Sequence, residues 1–147
     1  MLHTKIIDAS AEKIEISNAE NFLNSSKFGA VIYFVGTVRD NNENKEVTGI
    51  TYDAKDSMVI KSFEEIYEDA ESELNIKNKA VFIEHVKGYV GLSEKSIIIG
   101  VACKHRDEAY RLSRFIIEEI KKRTPIWKKE HYTNEESEWL KGVSIQL

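Results

Sequence analysis

The chain has 147 residues, 41% of them hydrophobic and 31% charged, which predicts one folded domain over residues 1–147 and argues against disorder. A net charge of −4 gives no general basic surface, so we expect no nucleic-acid partner, and any anion site needs a local cluster of cations. Cys103 is the single cysteine, and neither a signal peptide nor an apolar run of roughly 20 residues is present. We therefore expect a cytoplasmic protein without a membrane partner.

The first third of the chain predicts short strands around one short helix. Residues 3–8 and 12–16 have strand character, and Ser17-Asn18-Ala19-Glu20 has the form of a capping box that opens a helix. Residues 29–38 are mostly apolar, β-branched or aromatic, and predict a buried strand. The polar residues 39–44 predict a loop, and residues 47–54 the strand that returns from it.

The remaining elements include two long helices. Asp56 or Ser57 can cap the first, whose apolar face comprises Ile60, Phe63, Ile66 or Tyr67, Ala70 and Leu74. Strands are predicted near 80–86 and 95–103, with a turn region between Gly88 and Gly91. The second helix covers 106–123 and ends before Pro125; its apolar face comprises Ala109, Leu112, Ile116 and Ile120. A strand at 126–132, a turn at 134–136 and a strand from about 138 follow, and the irregular order of elements predicts an α+β fold.

The strongest local feature is a group of five cations within nine residues, from Lys121 to Lys129. Lys121 lies in the last helical turn and Lys128 early in the next strand, so both ammonium groups lie within roughly 10 Å of one corner. Neighbouring cations lower each other's pKa, which would let one lysine act as acid or base while the other holds an anion. Alternatively, these lysines only stabilise the end of the helix and remain solvated.

A second cationic group, Lys104-His105-Arg106, stands where a strand hands over to the second helix. Free N–H groups at a helix start, together with cations, suit a phosphate or carboxylate; alternatively, Asp107 and Glu108 already satisfy the helix start. Arg39 opens a loop and could reach a ligand, whereas Phe34 is expected mainly in the core, with some chance of lining a pocket.

Several chemistries have no support in the sequence. The four histidines and the single cysteine have no metal-ligand spacing, and no phosphate-binding or nucleophile-elbow motif occurs, so we expect no metal and no cofactor. Cys103 ends an apolar strand and is expected to be a buried hydrophobe. If the chain is an enzyme, its nucleophile arrives with a substrate or partner.

Four segments resemble the large, catalytic subunit of molybdopterin synthase, in that family's order and spacing: Phe28-Gly29-Ala30, residues 34–39, Lys104-His105-Arg106, and Pro125-Ile126-Trp127-Lys128-Lys129-Glu130. The resemblance implies an α/β-hammerhead-like fold with antiparallel strands and two main helices. It also implies a sulfurtransferase that uses the C-terminal Gly-Gly thiocarboxylate of a small ubiquitin-like subunit. Its substrate is cyclic pyranopterin monophosphate (precursor Z), which becomes molybdopterin in molybdenum cofactor biosynthesis.

The resemblance also implies the assembly and the roles of individual residues. Large subunits form a homodimer within a heterotetramer, and each site draws on both large subunits. Lys121 and Lys128 match the catalytic lysines, with Lys121 nearest the thiocarboxylate. His105 and Arg106 match a substrate anion site contributed across the dimer, and Arg39 a pterin or phosphate contact. Glu130 is expected to orient Lys128 from the same face of the strand.

The chain departs from the family pattern at the edges of the expected pocket. Ile117 stands where Met is common, Tyr52-Asp53-Ala54-Lys55 where Tyr-Glu-Ala-Tyr is typical, and Ser93 where Gly is usual. The chain ends at Leu147, without the longer tail of some members. Two other functions stay open: a non-catalytic module that captures the tail of a ubiquitin-like protein, and a simple binder of phosphate ligands.

Overall fold

The computed structural model describes residues 1–133 and 138–139, which contain three helices and eight strands. The helices are α1 (Ile16–Leu23), α2 (Asp56–Leu74) and α3 (Arg106–Arg123). The strands are β1 (Leu2–Asp8), β2 (Ala30–Thr37), β3 (Asn41–Asn42), β4 (Lys45–Ala54), β5 (Lys79–Gly91), β6 (Lys95–Cys103), β7 (Ile126–Tyr132) and β8 (Glu138–Trp139).

The long strand β5 joins two parts of the sheet. Its first part lies between β6 and β1, and β2 continues the sheet beyond β6. Its last residues, 88–91, pair with β4, which pairs in turn with β7 and with the short β3, and β8 follows β7. Every pairing in the described residues is antiparallel except that of β1 with β5. The predicted α+β class is confirmed. The prediction named antiparallel strands and did not include the parallel pairing of β1 with β5.

The core lies between this sheet and the helices. Strands β5 and β6 are buried along most of their length, because α2 and α3 pack against each other and α3 packs against β6 and β2. The predicted apolar face of α3 is confirmed, since Ala109, Leu112, Ile116 and Ile120 are fully buried. Helix α1 covers Gly100 so closely that a Cβ there would lie 2.6 Å from Leu23 Cδ1. Glycine is therefore needed at that position.

Two predictions near the N-terminus are wrong. Residues 12–15 form no strand: the chain turns after β1, where the amides of Ala11 and Glu12 donate to the carbonyl of Asp8. Ile14 and Ile16, two positions apart, imitate a strand, but Ile14 alone among residues 12–15 is buried. Helix α1 forms, but it begins at Ile16 with Glu15 as N-cap and no side-chain cap hydrogen bond, so the capping box at Ser17 is not used.

Other predictions need correction in the strands and turns. Strand β2 forms but is partly exposed, because it lies at the edge of the described sheet. Strand β5 continues through Gly88 to Gly91, and the turn comes at residues 92–93. Ser93 has φ +64°, a left-handed conformation that glycine adopts at lower cost, which explains why the family pattern has glycine at this position. Neither Asp56 nor Ser57 caps α2, whose N-cap is Lys55, and the turn predicted at 134–136 lies outside the described residues.

In the part of the chain that the structure describes, no helix is both long and apolar enough to cross a lipid bilayer.

Candidate active site

The corner between α3 and β7 is fixed by buried contacts. The amide of Thr124 donates to the carbonyl of Ile120 (3.1 Å), which closes the last turn of α3. The hydroxyl of Thr124 is buried and lies 2.8 Å from that of Ser62 in α2. Since Pro125 prevents the helix from continuing, the chain turns into β7 directly after this anchor. The predicted end of α3 and the predicted start of β7 are both confirmed.

Strand β7 alternates between a buried and a half-buried face. Ile126, Lys128 and Glu130 are buried, whereas Trp127 and Lys129 are half-buried on the other face. Lys128 is only 9% exposed, and its Nζ lies 4.0 Å from Oε1 of Glu130. The prediction that Lys128 and Glu130 share one face is confirmed. The alternative interpretation, in which the lysines of this segment remain solvated, does not hold for Lys128.

The electrostatics of the corner act on Lys128. Burial holds the pKa of Lys128 below its ordinary value, because desolvation disfavours the charged ammonium. Glu130 partly opposes this shift, whereas the positive charges of Arg39 and Lys121 lower the pKa of Lys128 further. The corner therefore brings together four of the predicted residues and makes Lys128 easier to deprotonate than an exposed lysine.

Asn42 is a residue of this corner that the sequence reasoning overlooked. Its Nδ2 donates to both carboxylate oxygens of Glu130, at 2.8 and 3.0 Å, although Glu130 is 98% withdrawn from solvent (2% exposed). A two-residue turn at Glu43 and Asn44, both with positive φ, places Asn42 opposite Lys45 in the short β3–β4 hairpin. The polar residues 41–44 were the available signal, but the sequence predicts only a loop of turn-forming residues over 39–44 and not this hairpin.

The rings of two buried residues, Tyr52 and His85, pack against each other beside Lys128. Tyr52 is buried and lies directly opposite Lys128 in the β4–β7 register, so both side chains emerge on one face. Its ring meets that of His85 edge to face at 4.8 Å. Burial lowers the pKa of His85 to about 4, so the imidazole is neutral near pH 7, and its Nδ1 lies 2.7 Å from the carbonyl of Val86. Tyr52 thus agrees with the family pattern at 52–55, and the departures at Asp53 and Lys55 come after it.

The other predicted residues lie elsewhere in the chain. His105 and Arg106 are exposed at the opposite end of α3, and 15 residues of helix separate Arg106 from Lys121 by about 22 Å. His105 lies 3.6 Å from Glu108, in the helix that it precedes. Phe34 lies in the middle of β2 opposite Ile99 and packs against the core, roughly 15 Å along the chain from Arg39. Within a single chain, His105, Arg106 and Phe34 therefore do not reach the corner.

The corner can hold an anion and move a proton, but it offers no nucleophilic sulfur of its own. Cys103 is fully buried, as predicted, and burial raises the pKa of its thiol to about 11. Within residues 1–133, no group of three or more His, Cys, Asp or Glu side chains is placed to hold a metal ion. A reaction here would depend on a substrate or partner that supplies the nucleophile.

Comparisons with known proteins agree with one another. The family model described as "MoaE protein" matches residues 9–123. The molybdopterin synthase catalytic subunit of Synechococcus elongatus is 37% identical over 136 residues, which cover 92% of this chain and 82% of that protein. The crystal structure of molybdopterin synthase from Staphylococcus aureus superposes with a TM-score of 0.84 at 28% identity, covering 93% of this chain and 96% of that one. A Helicobacter pylori chain in a complex of subunits 1 and 2 of molybdopterin-converting factor has the same fold, with a TM-score of 0.74 at 23% identity, covering 97% of this chain and 92% of that one.

Proposed function

Because the chain belongs to the MoaE protein family, that of the molybdopterin synthase catalytic subunits, we propose a specific sulfur transfer for it. The sulfur comes from the C-terminal thiocarboxylate of a small ubiquitin-like subunit. The acceptor is cyclic pyranopterin monophosphate, and two transfers create the dithiolene of molybdopterin. Residues 1–147 act as a single catalytic domain in this proposal.

The observation that carries the proposal is the buried Lys128 beside Glu130, Arg39 and Lys121. A lysine with a lowered pKa can exchange protons near neutral pH, and the neighbouring cations can hold the phosphate of the pterin. The buried Cys103 cannot serve as the sulfur donor, so the sulfur must be brought in by another molecule. A thiocarboxylate tail meets that requirement.

The two lysines have different surroundings, which suggests a division of roles. Lys121 is half-buried in the last turn of α3, at the mouth of the corner, where it can polarise the carbonyl of an incoming thiocarboxylate. Lys128 is more deeply buried and better suited to proton transfer. When the sulfur bonds to a side-chain carbon of the pterin, a C–O bond of that carbon breaks, and its oxygen leaves as water or stays on the phosphate. Water then cleaves the acyl–sulfur bond, so the sulfur remains on the pterin and the tail leaves as a carboxylate. Glu130, held by Asn42, keeps Lys128 in position.

The proposed assembly has two kinds of partner. The Helicobacter pylori neighbour, whose structure is a complex of two different subunits, supports a small subunit as one of them. The other is a second copy of this chain, which would supply His105 and Arg106, because about 22 Å of helix keeps them from the corner of their own chain. Two large and two small subunits then form a heterotetramer.

Reconstitution with purified components tests this function. The chain would be mixed with a thiocarboxylated small subunit and the cyclic pterin, and the dithiolene product followed by mass spectrometry. Lys121→Ala should reduce turnover by about 10²- to 10³-fold, the usual range for a lost group that stabilises negative charge on a carbonyl oxygen, while the small subunit still binds. Lys122→Ala is the matched control, because Lys122 is exposed and only pairs with Glu119 at 3.3 Å.

The outcome also separates the rival functions. A module that only captures a tail would bind the small subunit and form no product with any variant. A simple phosphate binder would bind the pterin without a protein partner. Equal losses from Lys121→Ala and Lys122→Ala would remove Lys121 from its central role.

A further inference from the structure

The chain changes direction between Lys121 and Lys128 at a short hinge that consists of Thr124 and Pro125. Thr124 has left the helical conformation, with φ −80° and ψ 125°, and the ring of Pro125 fixes the φ of that residue. Since α3 on one side and β7 on the other are regular elements, the separation of the two lysines depends largely on the backbone angles of Thr124. Contacts that hold Thr124 therefore also hold Lys121 relative to Lys128.

The hydrogen bonds of Thr124 are partly local. Its amide donates to the carbonyl of Ile120 at 3.1 Å, and its carbonyl accepts from the amide of Ile126 at 2.9 Å. These two partners flank the hinge and belong to the elements that it joins. A further bond comes from another helix, because the buried hydroxyl of Thr124 lies 2.8 Å from that of Ser62 in α2. This bond ties the hinge to a separate part of the fold.

Ser62 is a polar residue in the buried face of α2, together with Phe63 and Ile66. Serine has a lower helix propensity than alanine, and a buried hydroxyl costs free energy unless it is hydrogen-bonded. Ser62→Ala combined with Thr124→Val would avoid both costs, since replacing both partners of a buried hydrogen bond by apolar groups can be nearly neutral. Stability alone therefore does not require the two hydroxyls. A hydrogen bond adds a preferred direction, which an apolar contact lacks.

We propose that Ser62 is a positioning residue for the reaction: its hydroxyl holds Thr124, and with it the placement of Lys121 relative to Lys128. The proposal rests on the proposed function for the roles of the two lysines, one at the carbonyl of the thiocarboxylate and the other in proton transfer. Both groups must act on one reacting centre. A small change in their separation therefore lowers the rate of the reaction more than it weakens substrate binding.

Two substitutions of Thr124 separate the hydrogen bond from the packing. Thr124→Val keeps the shape of the side chain and loses the hydroxyl, whereas Thr124→Ser keeps the hydroxyl and loses a methyl group. Thr124→Val should lower kcat by roughly 10- to 100-fold and leave KM within about twofold of wild type, since a misplacement of about 1 Å can cost 100-fold. Thr124→Ser should keep kcat within about threefold of wild type. Steady-state kinetics with the thiocarboxylated small subunit and the cyclic pterin measures both.

A double-mutant cycle with Ser62→Ala tests whether the two hydroxyls act together. Ser62→Ala, Thr124→Val and the double variant each remove the same bond, so all three should lower kcat by the same factor. Their stabilities should differ, because Ser62→Ala leaves the fully buried hydroxyl of Thr124 without its partner. The equilibrium constant for unfolding should rise by roughly 5- to 100-fold in Ser62→Ala and stay close to wild type in the double variant. Urea unfolding measures this difference.

The ion pair between Arg123 and Asp69 provides a control, because it also joins α3 to α2. Arg123 Nη2 lies 2.8 Å from Asp69 Oδ2, but the side chain of Asp69 is 42% exposed, and exposed pairs contribute little. Asp69→Asn weakens this contact without removing the bond between the hydroxyls, so kcat should stay at the wild-type value. Equal losses of kcat in Asp69→Asn and Thr124→Val would show that any loosening of the two helices suffices, and would reject a specific role for Ser62.

The titration of Lys128 reports the geometry of the hinge without any enzyme assay. The positive charge of Lys121 lowers the pKa of Lys128, so a change in the separation of the two lysines changes that pKa. The ¹³Cε resonance of Lys128 should therefore titrate differently in Thr124→Val than in wild type. Thr124→Ser should titrate as wild type does.

The outcomes separate this proposal from the proposed function. The proposal is overturned if Thr124→Val keeps the kcat of wild type, or if kcat recovers together with stability in the double variant. It is also overturned if Lys128 titrates alike in Thr124→Val and wild type. A wild type that makes no product rejects the proposed function, whereas an altered titration of Lys128 in Thr124→Val still supports the link between Ser62 and the two lysines.

Discussion

The two ends of α3 carry similar cationic residues in contrasting surroundings. At the C-terminal end, Lys121 is half-buried and the neighbouring Lys128 is 9% exposed beside a carboxylate that Asn42 holds. At the N-terminal end, His105 and Arg106 are exposed, and His105 lies 3.6 Å from Glu108 in the first turn of the helix. The side chains at the first end are held by buried contacts, whereas those at the second end are exposed on the surface.

In the proposed mechanism, burial rather than residue type decides whether a cationic side chain transfers protons or binds the phosphate. Desolvation lowers the pKa of Lys128 and so allows proton transfer near neutral pH. Exposed side chains such as that of Arg106 suit the recognition of a phosphate. We therefore expect substitutions at the C-terminal end to reduce kcat, and substitutions at the N-terminal end to raise KM.

The largest effect is expected from Lys128→Ala. Loss of a positioned proton-transfer group should lower kcat by about 10²- to 10⁴-fold with little change in KM. Lys128→Arg keeps the positive charge but cannot release a proton, so its kcat should stay as low as that of Lys128→Ala, again with little change in KM. Steady-state kinetics of both variants, with Lys129→Ala on the opposite face as control, would check this. A normal kcat in Lys128→Arg would show that charge alone is required.

A smaller effect is expected from Arg106→Ala at the other end of the helix. Loss of charge-assisted hydrogen bonds to a phosphate, at about 1.5–3 kcal/mol, should raise KM for the pterin by roughly 10- to 100-fold. Arg114→Ala removes an equally exposed arginine that pairs with Glu118 and should leave KM unchanged. If both variants raised KM alike, general surface charge would explain the result and the comparison between the two ends would lose its basis.

Asn42→Ala tests how much the hydrogen bonds from Asn42 to the buried Glu130 contribute to stability. The variant removes both hydrogen bonds to the buried Glu130 and should lower the free energy of unfolding by about 1–3 kcal/mol. Asn41→Ala, at the exposed neighbouring position, is the matched control and should cost much less. Urea unfolding of the three proteins provides the measurement, and similar stability of both variants would mean that Glu130 does not depend on Asn42.

The pH dependence of stability gives the smallest and most specific test. Because the folded-state pKa of Lys128 is lowered, the unfolded chain binds more protons between that pKa and the ordinary value of 10.5. Stability of the wild type should therefore rise with pH through this window relative to Lys128→Met. Urea unfolding at several pH values from 7 to 10 would show the difference, and parallel curves for the two proteins would contradict a lowered pKa.

The sequence predicted the residues of the corner between α3 and β7 better than the contacts that hold them in place. The proline after α3 and the alternation in β7 fixed Lys121, Lys128 and Glu130 with local rules. Asn42 reaches Glu130 from 88 residues away, and no local pattern encodes such a contact. The prediction that β2 is buried was wrong for a related reason. Its composition resembles that of a central strand, but its position at the edge of the sheet depends on the whole topology. The strand predicted wrongly at 12–16 shows that apolar residues two positions apart, within only five residues, are weak evidence for a strand.

The most direct test of the account is a mixed dimer with one substitution at each end of α3. Lys121→Ala and Arg106→Ala chains, co-expressed with different affinity tags and purified through both, carry one complete and one doubly impaired site per dimer. At substrate concentrations below the wild-type KM, and with the small subunit supplied, the mixed dimer should recover about half of the wild-type activity, although each parent is nearly inactive. A mixed dimer with no more activity than the average of its parents would contradict the claim that two copies build each site.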